Sequence, residues 1–326
     1  MIVYLLRRVL NYSILTAVVS SLAYVLASLT LNPVHDLESR HPRPPQHVID
    51  NKLDLLGANP DVPLIERTWT WFINIFHGDL GLTVSNHPVT DQLITRGGVS
   101  LQLLLVGSII GAILGVILGV WGAVRQYRAS DQVVTYASYL IFATPTFVMG
   151  ILLMIAATQF NNAIGTQLIT FSGQFSADAP TDFWGNLGDR LSHLLLPTIV
   201  LILGAAASYS RYQRNAMLDV LGADYIRTAR AKGRTRSSAL VRHGVRVALI
   251  PMSTFFAYSF GTLIAGATLL ELVFSWHGMG EQAVQSIQTS DINSIAGATL
   301  FVSVLILCSS TLSEVLYAAL DPRVRR

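Results

Sequence analysis

Asp224-Tyr-Ile-Arg-Thr-Ala-Arg-Ala-Lys-Gly233 is the centre of a basic segment, Ser210 to Leu249, set between two apolar runs. Nine Lys or Arg residues fall between Arg211 and Arg246, against only Asp219 and Asp224. A segment so charged beside runs so apolar belongs on the cytoplasmic side of a membrane. Asp224 is placed to cap a helix N-terminus, and Gly233 suits the left-handed position that ends one. Tyr225 to Lys232 between them make about two turns, roughly 12 Å. A helix that short does not persist alone in water, so contacts must hold it. Ile226, Ala229 and the stem of Lys232 share one side, while Arg227, Arg230 and Arg234 fan round the others. Upstream, Tyr209 to Leu221 reads as an amphipathic continuation of an apolar run, ended by Gly222. Downstream, Ser237 can cap a further helix that carries Leu240, Val241 and Val245 toward Pro251. The whole reads as an ordered surface on which another protein docks. A patch resting on lipid headgroups is the plainer alternative. Nucleic acid is disfavoured, because no stacking aromatics are interleaved with the basic residues.

Composition supports a membrane setting. The 326 residues are 52% hydrophobic and 13% charged, about half the charge of a soluble domain. Six runs are long and apolar enough to cross, at 9–31, 99–121, 132–158, 191–209, 247–270 and 295–318. They predict an all-α integral membrane protein forming one membrane domain. Arg7 and Arg8 point residues 1–8 inward, and six crossings return the tail 319–326 to the same side. Sixteen basic residues then lie inside and six outside, while 13 acidic residues fall in the outer segments. Every loop agrees with cytoplasmic N- and C-termini. The first run exceeds the apolar part of a signal peptide and has no small-x-small cleavage site, so it is expected to stay. Cys308, the single cysteine, excludes an intrachain disulfide.

Gly107, Gly111, Gly115 and Gly119 recur every four residues along one face of the second run, which reads as a face for close helix packing, with a flexible pore-lining helix as the alternative. Ser253, Ala257, Gly261 and Ala265 repeat the pattern more weakly in the fifth. Glu271, Glu314 and His193 are placed near run ends, within reach of water or headgroups. Without carboxylates at mid-membrane depth, an ion-coupled carrier is disfavoured.

Several motifs carry a resemblance. Tyr225-Ile-Arg-Thr-Ala-Arg-Ala-Lys-Gly233, followed by Arg242-His-Gly-Val-Arg-Val-Ala-Leu-Ile-Pro251, resembles the cytoplasmic coupling motif of ABC importer permeases. It is closest to the first (B-type) membrane subunit of the dipeptide and oligopeptide branch. The general motif begins Glu-Ala-Ala; Arg227-Thr228-Ala229 stands there instead. Tyr4-Leu-Leu-Arg-Arg-Val-Leu, His77-Gly-Asp-Leu-Gly81, Ala143-Thr-Pro-Thr-Phe147, Phe274-Ser-Trp-His-Gly-Met-Gly280 and Leu320-Asp-Pro-Arg-Val-Arg are similar to that subunit in order and spacing. The resemblance implies a type I permease fold in which Asp224 to Gly233 (Asp224, Tyr225, Ile226, Arg227, Thr228, Ala229, Arg230, Ala231, Lys232, Gly233) couples to ATPases. It implies a second, similar permease subunit, two cytoplasmic ATPase subunits that bind ATP and Mg, and an extracytoplasmic substrate-binding protein. Related permeases also take nickel chelates, haem precursors or glutathione. Independently, Lys52 and Lys232 are the only lysines and neither sits in a G-x-x-x-x-G-K-[ST] loop, so ATP hydrolysis by that route falls to a partner.

The outer segment 32–98 is long for a connection. Pro42, Pro44 and Pro45 prevent a regular helix in its first third, whereas Leu64 to Phe76, with Trp69, Trp71, Phe72 and Phe76, reads as an amphipathic helix at the membrane interface or a binding-protein contact. His35, His41 and His47 recur every six residues without Cys, and no metal site is expected. The segments 159–190 and 271–294 read as outer loops, and no chemistry is assigned to the run Phe171 to Gly188 within the first. An intramembrane hydrolase lacks H-E-x-x-H, G-x-S-x-G and paired aspartates within the runs. A membrane scaffold that recruits partners through the basic loop 210–246 is the other competing reading.

Overall fold

In this computed structural model the described residues are 2–321; the side chains of residues 2–5, Arg236, Ser237, Tyr258, Thr262 and Ala265 are not among them. The basic tail and most of the Leu320-Asp-Pro-Arg-Val-Arg motif therefore lie outside the described residues, as do the side chains of Ser237 and Ala265. Fourteen α-helices and one π-helical turn make up most of the rest, and no strand is present among the described residues.

The chain divides into two compact units. One comprises Leu6–Leu101 and His277–Leu307. It holds most of α1 (Ile2–Thr30), then α2 (His35–Glu38), α3 (Gln46–Leu55), α4 (Leu64–Ile75), the start of α5 (Val89–Val124), α13 (Met279–Gln288) and the first half of α14 (Ile292–Leu320). Helices α3 and α4 each begin directly after a proline, Pro45 and Pro63, held in an extended conformation. Proline suits such starts because its missing N–H would have had no helical partner. Tyr24 stacks on Trp71 with ring centroids 5.0 Å apart, and both are buried. Asn293 donates to the carbonyls of Leu56 (3.0 Å) and Leu82 (2.9 Å), while Asp291 accepts from Val84 N and from Ser294 N, the latter capping α14. Gly81 lies at φ +84°, and a Cβ there would come within 2.7 Å of Asn293. That explains the His77-Gly-Asp-Leu-Gly81 sequence: its last glycine permits both the turn and the approach of Asn293.

The other unit comprises Gln102–Trp276 with the described ends of the chain. It contains the rest of α5, α6 (Ala129–Ala143), α7 (Thr146–Ile164), α8 (Phe183–Leu221), α9 (Asp224–Ala231), α10 (Arg236–Ala239), a π-helical turn Leu240–Val245, α11 (Arg246–Ala248) and α12 (Ile250–Phe274), with the second half of α14. Helix α8 is much longer than the run 191–209. It starts at Phe183, where Asp182 accepts from Gly185 N at 2.8 Å, and runs through the amphipathic stretch to Leu221.

Among the described residues five helices are long and apolar enough to cross a membrane, six when α12 and the turn before it, bent by 48° between Gly261 and Gly266, count as one span. The apolar run 132–158 is not one helix. It breaks at Thr144-Pro145, where both residues are extended and α6 gives way to α7. The ring of Pro145 disfavours the helical conformation at Thr144, and Pro145 has no N–H to continue the ladder. Helix α7 ends at Gly165, φ +70°.

Candidate functional site

The glycine face of α5 packs against α8. A Cβ on Gly107 would meet Leu201 at 2.7 Å, on Gly111 Ala205 at 2.5 Å, and on Gly119 the carbonyl of Ser210 at 2.6 Å; on Gly115 it would collide with Tyr209. The stripe is a seat for α8 over four turns, and every glycine in it is sterically required. Gly261 is not part of such a contact: a Cβ there meets nothing within 4 Å. The fifth-run pattern is thus corrected. Its Ser253 is buried and its carbonyl accepts from the Ser313 hydroxyl, but the bend beyond Gly261 ends the regular face.

At the end of α8 the chain turns at Gly222 and forms α9. Ala223, not Asp224, occupies the N-cap, and no side chain caps this helix. Asp224 is instead its first residue, an exposed carboxylate 4.0 Å from Arg227 Nη1. An acidic group there still complements the positive helix end. Helix α9 closes with two crossed bonds, Gly233 N to Arg230 O (2.9 Å) and Arg234 N to Ala229 O (3.3 Å), with Gly233 at φ +87°. This is a Schellman ending. Ile226 is buried within an apolar cluster, the socket of α9, that also includes Met217 and Val220 of α8, Ala123 of α5, Ala239, Leu240 and Ala248, with Ala229 packed against it. Tyr225, Arg227, Thr228, Arg230, Ala231, Lys232 and Arg234 are exposed. One apolar residue thus pins a short helix whose remaining surface is cationic. Ser237 lies inside α10; the cap is Thr235, whose hydroxyl accepts from Ser238 N at 3.3 Å. In the π-helical turn Gly244 faces α8, where a Cβ would come within 3.0 Å of Val220.

Above this socket Asp131 of α6 is buried and takes two bonds from Arg214 of α8, at 2.7 and 2.8 Å, and a third from Tyr127 N at 3.0 Å. Three donors satisfy a carboxylate that burial would otherwise penalise. Ser138 and Ser210 hydroxyls meet at 3.1 Å across the same pair of helices.

Further along, the break between α6 and α7 opens onto a partly open cavity of about 390 Å³, lined by residues of these helices, α8 and α12. Its wall is mixed. Thr144, Thr146, Ser208 and Ser259 bring hydroxyls, Phe142, Met149, Phe255 and Leu263 are apolar, and Arg211 is its cation. Tyr209 bonds Ser259 at 2.6 Å, tying α8 to α12, and Gly266 lets α12 approach Thr146. The guanidinium of Arg211 sits 4.1 Å from the centre of the Phe142 ring and 5.3 Å from that of Tyr139.

Glu271 and His193 are enclosed by protein, at 1% and 3% exposure, and are not at the water or headgroup surface. For His193 the reason is the early start of α8, which places it in the third turn, with Nδ1 2.9 Å from the Asp189 carbonyl. Asp189 is itself held by Ser176 N (2.8 Å) and Oγ (2.6 Å). In the outer segment, Lys52 donates to the Val84 carbonyl at 2.7 Å, and burial pulls its ammonium below the usual lysine range against the opposing charge of Asp291. Trp71 is buried, while Ile65 and Trp69 of α4 and Phe76, its C-cap, are largely exposed. No group of three metal-ligating side chains occurs among the described residues.

Sequence reasoning missed the Asp131–Arg214 pair and the cavity. Arg211 and Arg214, one turn apart at the end of an apolar run, were the available signal, with Thr144-Pro145 inside another.

Apolar helices of membrane-spanning length, a partly open cavity with a mixed wall and a short helix with a cationic surface are features of a transport permease. The chain belongs to the family of binding-protein-dependent transport system inner membrane components, which its residues 111–326 match. It is 51% identical over 322 residues to the oligopeptide transport system permease protein OppB of Mycobacterium bovis, covering 99% of this chain and 98% of that one. It is 34% identical to the oligopeptide transport system permease protein AppB of Bacillus subtilis, over 78% of each chain. With the dipeptide transport system permease protein DppB of Escherichia coli it shares 31% identity, over 81% of this chain and 82% of the other.

Proposed function

We propose that this chain is the membrane permease subunit of an ATP-driven importer of peptides, with both termini on the cytoplasmic side. The observation that carries the reading is the end-to-end likeness to an oligopeptide transport system permease protein. Helix α9 supplies the mechanism. Its exposed cationic face is the surface that docks on a cytoplasmic ATPase subunit, and Ile226 is the pin through which force enters the bundle. Each of two ATPase subunits binds ATP with Mg and serves one permease; a second, similar permease completes the pathway, and an extracytoplasmic binding protein delivers the cargo. Closure of the ATPases on ATP draws α9 inward. Because Ile226 shares one apolar cluster with Met217 and Val220, the inner end of α8 follows, and with it the wall of the cavity.

The test is reconstitution of the four-part transporter in liposomes with its binding protein. ATP turnover is expected to rise when peptide-loaded binding protein is added, with peptide accumulating inside. Turnover and accumulation that ignore peptide while responding to another loaded solute would reassign the cargo. No dependence on the binding protein, with an intact ATP site, would overturn import altogether and leave a scaffold role.

A further inference from the structure

We propose that the cavity between α6, α7, α8 and α12 is a carboxylate-recognising station on the solute's path, with Arg211 as the recognising group. The proposal rests on the import reading above and deepens it by assigning a subsite within this chain.

The wall chemistry comes first. Hydroxyls and a guanidinium turned toward hydrocarbon are costly, and so is non-helical backbone at membrane depth; both are tolerated where they line a space open to water. Arg211 and the Thr144-Pro145 break border the same 390 Å³, beside the Thr144 and Ser208 hydroxyls, which donate to Leu140 and Gly204 carbonyls, and the volume lies within the range of small-ligand sites.

Arg211 supplies the specificity. Arg214, one turn on, is paired with Asp131, whereas Arg211 forms no ion pair among the described residues, and its Nε is buried without a hydrogen-bond partner. Its Cζ lies over the Phe142 and Tyr139 rings. Stacking of this kind orients a guanidinium while leaving its forked donors free, and that fork matches a carboxylate better than the point charge of lysine does. The first turn of α7, whose start has no side-chain cap, borders the same space and adds a positive helix end to the field. A peptide carries one group that fits this arrangement at every length and sequence, its terminal carboxylate.

The test places a thiol in the cavity of the complete transporter in liposomes. In a Cys308→Ser background, Ser208→Cys is reacted with methanethiosulfonate reagents bearing either a sulfonate or a trimethylammonium group; Thr146→Cys serves as an independent reporter. The anionic reagent is expected to react about fivefold faster relative to the cationic one than at an exposed loop thiol. Arg211→Gln should abolish that preference, and Arg211→Lys should retain it in part. N-acetylalanine should slow labelling, and its amide should not. Equal protection by acid and amide, an anionic preference that survives Arg211→Gln, or no labelling of either cysteine would each overturn the proposal. Peptide uptake by the wild-type transporter is followed in parallel. Its failure would count against peptide import, whereas the reagent preference reports on the cavity whatever the cargo.

Discussion

At position 233 the backbone takes φ +87° with open space around the Cα, so the requirement for glycine there is torsional and not steric. A β-branched side chain in that conformation costs about 1–2 kcal/mol, enough to unravel the crossed bonds that close α9. Gly233→Val is expected to leave the chain in the membrane but to depress uptake more than ATP turnover, while Gly233→Asn, which tolerates the left-handed region, should keep most of both. Parallel uptake and phosphate-release assays check this; normal uptake in the Val variant would mean that the closed end of α9 is dispensable. Asp131 has the opposite character, a residue whose partners matter and whose backbone does not. Asp131→Ala strands Arg214 in a partly buried position, and breaking such a pair costs about 3 kcal/mol. A clear loss of thermal stability in detergent is expected, partly recovered in Asp131→Ala with Arg214→Met.

Among the elements, α5 and α8 depend most directly on the letters of the sequence. The four-residue glycine interval was readable as a helix face for close packing, and the structure identifies the facing helix. Gly115→Val has no room beside Tyr209, so the variant should fail to accumulate as folded protein, measured by detergent size-exclusion profile, whereas Gly261→Val should behave as wild type in that assay. The short helix was legible too, because its end signals are local: Gly233 fixes one boundary and Gly222 stops the helix before it. Its start was misread, since Asp224 is a strong cap by type but the chain enters through Ala223. Thr144-Pro145 breaks an apolar run, 132–158, that reads as one helix by hydropathy. Hydropathy averaged over a run does not register a break that leaves composition unchanged; only the stereochemistry of the residue before proline does. The cavity and Asp131–Arg214 were out of reach for another reason. Residues 131 and 214 meet only once α6 lies along α8, and no local pattern encodes that pairing.

For the molecule as a whole, the arrangement of basic residues gives a direct test of sidedness. Lys232→Cys in a Cys308→Ser background should react with a membrane-impermeant thiol reagent in inside-out vesicles and not in right-side-out ones; reaction from the outer face would reverse the topology. Ile226→Glu should abolish co-purification of the ATPase subunits, because a carboxylate cannot occupy the socket of Met217, Val220 and Leu240, and a complex that survives would move the docking surface elsewhere. Helix α8 joins these scales. Its 39 residues extend about 58 Å, and its one proline, Pro197, lies well before Arg211. The cavity wall at Ser208 and Arg211 and the seat for Ile226 at Met217 and Val220 thus occupy one stretch of helix without a joint. Their relation is one of phase. A single alanine inserted after Asn215 would rotate one by about 100° against the other, leaving two intact half-mechanisms that no longer turn in time.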